Sequence, residues 1–123
     1  MSKKKILVID DEEDFSFFIR KNLQRSNYEV IVAANGDDGI RIARASLPDL
    51  ILLDVMMPGL NGFQVLRKLK EDLRTYAIPV VMLTGKDDDE SRAKAAQLKD
   101  ADYIVKPIEI EELHKRIAEV LTK

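Results

Sequence analysis

Five runs of five or six residues rich in Val, Ile and Leu alternate with five longer segments whose apolar residues recur at helical spacing, and this alternation constrains the fold more than any other feature. The runs are KILVID (Lys5 to Asp10), EVIVAA (Glu29 to Ala34), DLILLD (Asp49 to Asp54), PVVMLT (Pro79 to Thr84) and DYIVK (Asp102 to Lys106). Near-continuous apolar character, rather than strict alternation, marks strands covered on both faces. Between them Phe15, Phe18, Ile19 and Leu23 form a helical stripe, as do Ile40, Ala43 and Leu47, then Val65, Leu66 and Leu69, and finally Ile110, Leu113, Ile117, Val120 and Leu121. The segment Asp88 to Leu98 is alanine-rich, anchored mainly by Ala93, Ala96 and Leu98, and is expected to be the most mobile helix. Strict βα alternation implies right-handed crossovers and hence an α/β fold, a parallel sheet between two helical layers.

With 123 residues, the chain is expected to be one domain, 1–123, with a core burying roughly two-thirds of the unfolded surface. Met1 stands just before the first run and reads as a natural start, whereas the end after Lys123 is open. Cysteine is absent, so disulfide staples are excluded. The first apolar run is cut by Asp10 and Asp11 and the third by Asp54, far short of the ~18 apolar residues of a membrane span. A soluble cytoplasmic protein is the expectation. The 20 basic and 22 acidic residues are spread along the chain, and Lys3 to Lys5 is the one basic run, which argues against direct nucleic-acid binding.

Ligands of open parallel sheets bind beyond the carboxyl ends of the strands. Here those ends are polar: Asp10 and Asp11 after the first strand, Asp54 on the third, Thr84 on the fourth and Lys106 on the fifth. Three carboxylates clustered at one rim either take up protons or recruit a cation, and Mg²⁺ suits one or two carboxylates with a carbonyl and waters. A carboxylate beside Mg²⁺, an ammonium and a hydroxyl is equipped to accept a phosphoryl group, so Asp54 is expected to be a nucleophile. It is also expected to be the one strand-end acid facing both the cation site and Lys106.

The motifs IDDEED, LLDVMMPGLNG, MLTGK and DYIVKP, in this order, resemble the receiver domain of bacterial two-component response regulators over essentially the full length. The resemblance implies a flavodoxin-like (βα)5 three-layer sandwich with strand order 2-1-3-4-5. It implies phosphorylation of Asp54 by a histidine kinase or histidine phosphotransferase, and a switched surface for an output protein. Mg²⁺ would be held by Asp10, Asp11, Asp54 and the Met56 carbonyl, Lys106 would contact the phosphoryl group, and Thr84 would be drawn toward it while Tyr103 changes rotamer. The Lys106-Pro107 bond would be cis. Such a chain is a signalling phosphoacceptor rather than an enzyme.

Two other classes compete. A phosphohydrolase with an aspartate nucleophile needs a second acid two places on, where this chain has Met56, and a flavin-binding module needs a hydroxyl-rich loop where this chain has DDEED. Asn61 is expected to cap the third helix, Gly59 and Gly62 to serve turn and helix entry, and His114, the one histidine, to pack at a helix boundary. The chain departs from the receiver pattern at Lys99-Asp100, where glycine-alanine is usual and a left-handed helix stop would strain Lys99, and at Ile108, where phenylalanine is frequent. Met56 cannot orient water and Lys86 offers only a mobile cation, so a long-lived acyl phosphate is expected. Phe17 lies off the first helical stripe and is expected to be exposed, near where the resemblance places the phosphodonor.

Overall fold

The computed structural model describes residues 3–122; Met1, Ser2 and Lys123, the ends of the expected domain, lie outside the described residues. Strands β1 (Lys5–Ile9), β2 (Glu29–Ala33), β3 (Leu50–Asp54), β4 (Val80–Gly85) and β5 (Asp102–Lys106) form one sheet in the order β2-β1-β3-β4-β5. Every neighbouring pair is parallel. Helices α1 (Glu13–Arg25), α2 (Gly36–Ser46), α3 (Gly62–Lys70) and α4 (Asp89–Ala96) make the four crossovers, and α5 (Ile110–Leu121) follows the last strand. The expected flavodoxin-like architecture is present, with strand limits within one residue of the apolar runs.

Successive strand residues point to opposite faces, and each face has its own core. Ile6 and Val8, Leu50 and Leu52, Val81 and Leu83, and Ile104 meet Ile19 and Leu23 of α1 and Leu113 and Ile117 of α5. Leu7 and Ile9, Ile51 and Leu53, and Val80 and Met82 meet Ile40 of α2 and Val65, Leu66 and Leu69 of α3. Burial on both faces is what makes the runs read as continuously apolar.

Several helix faces differ from expectation. The buried line of α1 is Ser16, Ile19 and Leu23, while Phe18 is 48% exposed. These three recur at i, i+3 and i+7, and the next residue before Ile19 is turned about 100° away from that line. Phe17 is 54% exposed, as expected, with the Lys21 Nζ 5.2 Å from its ring centroid. Leu47 leaves the α2 stripe because it terminates the helix in the left-handed region at φ 48 and is exposed. Lys99 has no such φ: among the described residues the non-glycine positions with positive φ are Asn27 and Leu47, and the cap of α4 is Gln97 in right-handed geometry. The strain expected at Lys99 is therefore absent. His114 is half-buried beside Leu113, as expected for a boundary position.

Helix α4 buries Ser91 and Ala95, not the expected Ala93 and Ala96, which are exposed. By contrast α3 buries Val65, Leu66 and Leu69 and carries a full capping box, the Asn61 side chain accepting from the Gln64 N–H and Gln64 accepting from that of Asn61. One absent large side chain forgoes about 1.5–3 kcal/mol of burial, so α4 amides should exchange with deuterium at least ~10-fold faster than those of α3. Equal protection of the two helices in hydrogen-exchange mass spectrometry would refute this.

Candidate functional site

The rim site grows out of the α1/α5 face of the sheet. In β1 the positions facing that core are Ile6 and Val8, in β3 Leu50 and Leu52, and in β5 Ile104. Two residues on in each case the period of the strand brings Asp10, Asp54 and Lys106. The ladder extends as far as Asp10, whose N–H donates to the Ala33 carbonyl at 3.0 Å. Three apolar columns thus end in polar groups at one level.

The Lys106 Nζ lies 2.9 Å from the Asp10 Oδ2, 3.2 Å from the Glu12 Oε1 and 3.3 Å from the Asp54 Oδ1. Asp54 is therefore not the one acid facing the lysine: Asp10 is nearer, and Glu12 shares the ammonium. The first turn of α1 explains Glu12. It occupies the N-cap position, makes no side-chain cap bond and turns its carboxylate to Lys106, while its own N–H donates to the Asp10 Oδ1 at 2.9 Å. Phe15, one turn further, sets its ring centroid 4.2 Å from the same ammonium. Neither residue was a sequence candidate; the available signal was their position directly after the Asp10-Asp11 pair, at the entry of an inward-facing helix.

Asp10 and Asp54 are buried and Asp11 is exposed, and each can place a carboxylate oxygen within 4.8 Å of the others. Burial pushes the Asp54 pKa up from its ordinary 3.8 to about 6, aided by the charge of Asp10 and opposed by Lys106. Burial likewise raises Asp10, against the Glu12 N–H and the lysine. Burial works against the Lys106 ammonium too, but its bond to Asp10 and the charges of Asp54 and Asp10 outweigh this and raise its pKa. One ammonium among four carboxylates leaves the rim short of positive charge. Clustered oxygen donors with that deficit fit Mg²⁺, a hard cation held by carboxylates.

Thr84 is buried, and its hydroxyl donates to the Ile104 carbonyl at 3.5 Å. Tyr103 is half-buried on the other core and lies opposite Met82 in the β4–β5 register, on the face shared with Thr84. Its carbonyl accepts from the Arg116 guanidinium at 3.0 Å. Met56 projects from the turn after β3 and is 66% exposed, whereas Met57 is buried against α3. Gly59 in that turn has φ 78. Gly62 serves close approach instead: a Cβ there would lie 2.5 Å from the Asp54 carbonyl oxygen. The Lys106-Pro107 bond is cis.

Three comparisons place these features among known proteins. Residues 6–118 match the family model described as the response regulator receiver domain. Protein PilH of Pseudomonas aeruginosa is 39% identical over 117 residues, covering 95% of this chain and 97% of that protein. The alkaline phosphatase synthesis transcriptional regulatory protein PhoP of Bacillus subtilis is 38% identical over 98% of this chain, which spans 49% of it. The solved structure of the Vibrio cholerae chemotaxis protein CheY4 superposes with a TM-score of 0.87 at 28% identity, over 97% of this chain and 99% of that one.

The raised pKa of Asp54 makes a signed prediction. Its folded state binds a proton more tightly than the unfolded chain, so the associated stability is complete below pH 3.8 and is lost as pH rises through about 6. In chelator at pH 7.5, Asp54→Asn should therefore be the more stable protein, by on the order of 2–3 kcal/mol, with the difference closing toward pH 4. Denaturant melts at the two pH values measure this, and a destabilised variant at pH 7.5 would refute it.

Proposed function

The chain belongs to the response regulator receiver domain family of two-component signal transduction, and we propose that Asp54 is its phosphoacceptor, with a histidine kinase or histidine phosphotransferase as donor. The observation that carries this reading is the convergence of Asp10, Asp11, Asp54 and Lys106 on one rim. In the proposed transfer an Asp54 carboxylate oxygen bonds to phosphorus while the bond from phosphorus to the donor histidine nitrogen breaks, its electron pair leaving with the imidazole. Asp10, Asp11, Asp54 and the Met56 carbonyl would hold Mg²⁺. When bound, that ion supplies positive charge to the phosphoryl oxygens.

The residues of the chain do the rest. Lys106 transfers its hydrogen bonds from carboxylate to phosphoryl oxygen, a short displacement for a group already between Asp10 and Asp54. The Thr84 hydroxyl is held only by the long bond to Ile104 and is available to a phosphoryl oxygen. Tyr103, on the face it shares with Thr84, follows by rotamer change and alters the surface offered to an output protein. Residues 1–123 act in this reading as one receiver unit in the cytoplasm, a phosphoacceptor rather than a turnover enzyme; among the described residues no helix is long and apolar enough to cross a membrane. The phosphohydrolase alternative is disfavoured because its second acid would stand where Met56 is turned to solvent.

Incubation with acetyl phosphate and Mg²⁺ should give one phosphoryl adduct per chain by intact mass, absent in chelator and absent from Asp54→Asn. An undiminished adduct in that variant would overturn the assignment.

The adduct should also be long-lived. Loss of phosphate needs a water aligned on phosphorus, and the Met56 thioether cannot align one. Met56→Asn should speed decay about tenfold, the equivalent of one hydrogen bond of ~1.4 kcal/mol formed in the transition state. Unchanged decay would show that this side chain does not govern water access.

A further inference from the structure

We propose that Phe15 is a positioning residue for phosphoryl transfer, its ring holding the Lys106 ammonium over the rim. This rests on the reading of Asp54 as phosphoacceptor. The ring is packed against the α1/α5 core, half-buried, with its centroid 4.2 Å from the Lys106 Nζ. That separation is within cation–π range, and the lysine side chain is only 15% exposed, so little water competes.

Two of the three carboxylate partners of Lys106, Asp54 and Asp10, are groups whose surroundings change in the proposed transfer, and Glu12 is the third. Asp54 becomes an acyl phosphate, and Asp10 is shared with the cation that its cluster fits. An ammonium held by carboxylates alone would keep only the exposed Glu12 of its anchors as the phosphoryl group arrives. A ring face attracts the cation without using a hydrogen bond and without a fixed direction. Phe15 therefore leaves the N–H donors now directed at Asp10 and Asp54 free to move to phosphoryl oxygen while the nitrogen stays in place. Ile19, one turn along α1, is fully sequestered in the same core and anchors the helix that carries the ring.

Phe15→Leu keeps an apolar side chain against the core and removes the ring, and Phe15→Tyr keeps the ring. Phosphorylation by acetyl phosphate in saturating Mg²⁺ should slow about five- to thirtyfold in the leucine variant, with Mg²⁺ affinity little changed, and recover in the tyrosine variant. In NMR spectra the Lys106 ε-methylene protons should be shifted upfield by the ring in wild type and Phe15→Tyr and lie at ordinary positions in Phe15→Leu. A leucine variant that phosphorylates within twofold of wild type, or Lys106 shifts indifferent to the ring, would overturn the proposal. A wild-type chain that takes no phosphoryl group would overturn the phosphoacceptor reading instead, and the methylene shifts would then decide by themselves whether Phe15 holds the lysine.

Discussion

An ammonium group shared among carboxylates at a sheltered rim is the interaction on which the rest of this molecule depends. Lys106 neutralises only part of the charge that Asp10, Glu12 and Asp54 gather around it. Ion pairs so sheltered gain stability only when geometry and further hydrogen bonds offset desolvation. Neither acid fully meets that condition: burial outweighs the bonds Asp10 accepts from Glu12 and Lys106 and raises its pKa, and it pushes Asp54, which leans on Lys106 alone among these, up to about 6. The unmet negative charge leaves the rim open to a cation and, in the proposed reading, to the phosphoryl group that comes with it.

Such a group is tolerable because the central strands behind it are apolar. Ile6 to Ile9, Leu50 to Leu53 and Val80 to Leu83 are all buried and apolar. Polarity is exported along the strand period to the carboxyl ends, where the next inward-facing position of three strands is Asp, Asp or Lys. Even the backbone is fitted to this end: Gly62 packs on the peptide of Asp54, where a methyl group would displace the strand end.

The layers were legible because burial on both faces writes itself as unbroken apolar sequence, the strand order came with the resemblance to receiver domains, and the rim was legible because each polar strand end interrupts such a run. Helix faces were less so. Phe18 is more apolar than Ser16, yet the neighbouring turn of α1 points Ser16 inward and Phe18 outward. Leu47 continued a stripe in the sequence but falls at a left-handed stop. The parts of the site that went unseen, Glu12 and Phe15, follow the Asp10-Asp11 pair in sequence, but their contact with Lys106 depends on how α1 is aimed across the end of β5, a relation between segments distant in the chain.

The lysine and the acid nearest it are separated by 96 positions in sequence. Closing so long a loop is entropically costly, and contacts of this span form only after the intervening elements have something to close upon. Lys106 is held at the rim by the pairing of β5 with β4, and of β4 with β3, so the edge strand, last in the sequence, carries the counter-charge of the first. A chain whose fifth strand is unpaired carries the rim carboxylates without their counter-charge. The charge balance of the rim is thereby a property of the whole sheet, since a chain that lacks its fifth strand leaves Asp10, Glu12 and Asp54 without the ammonium they share.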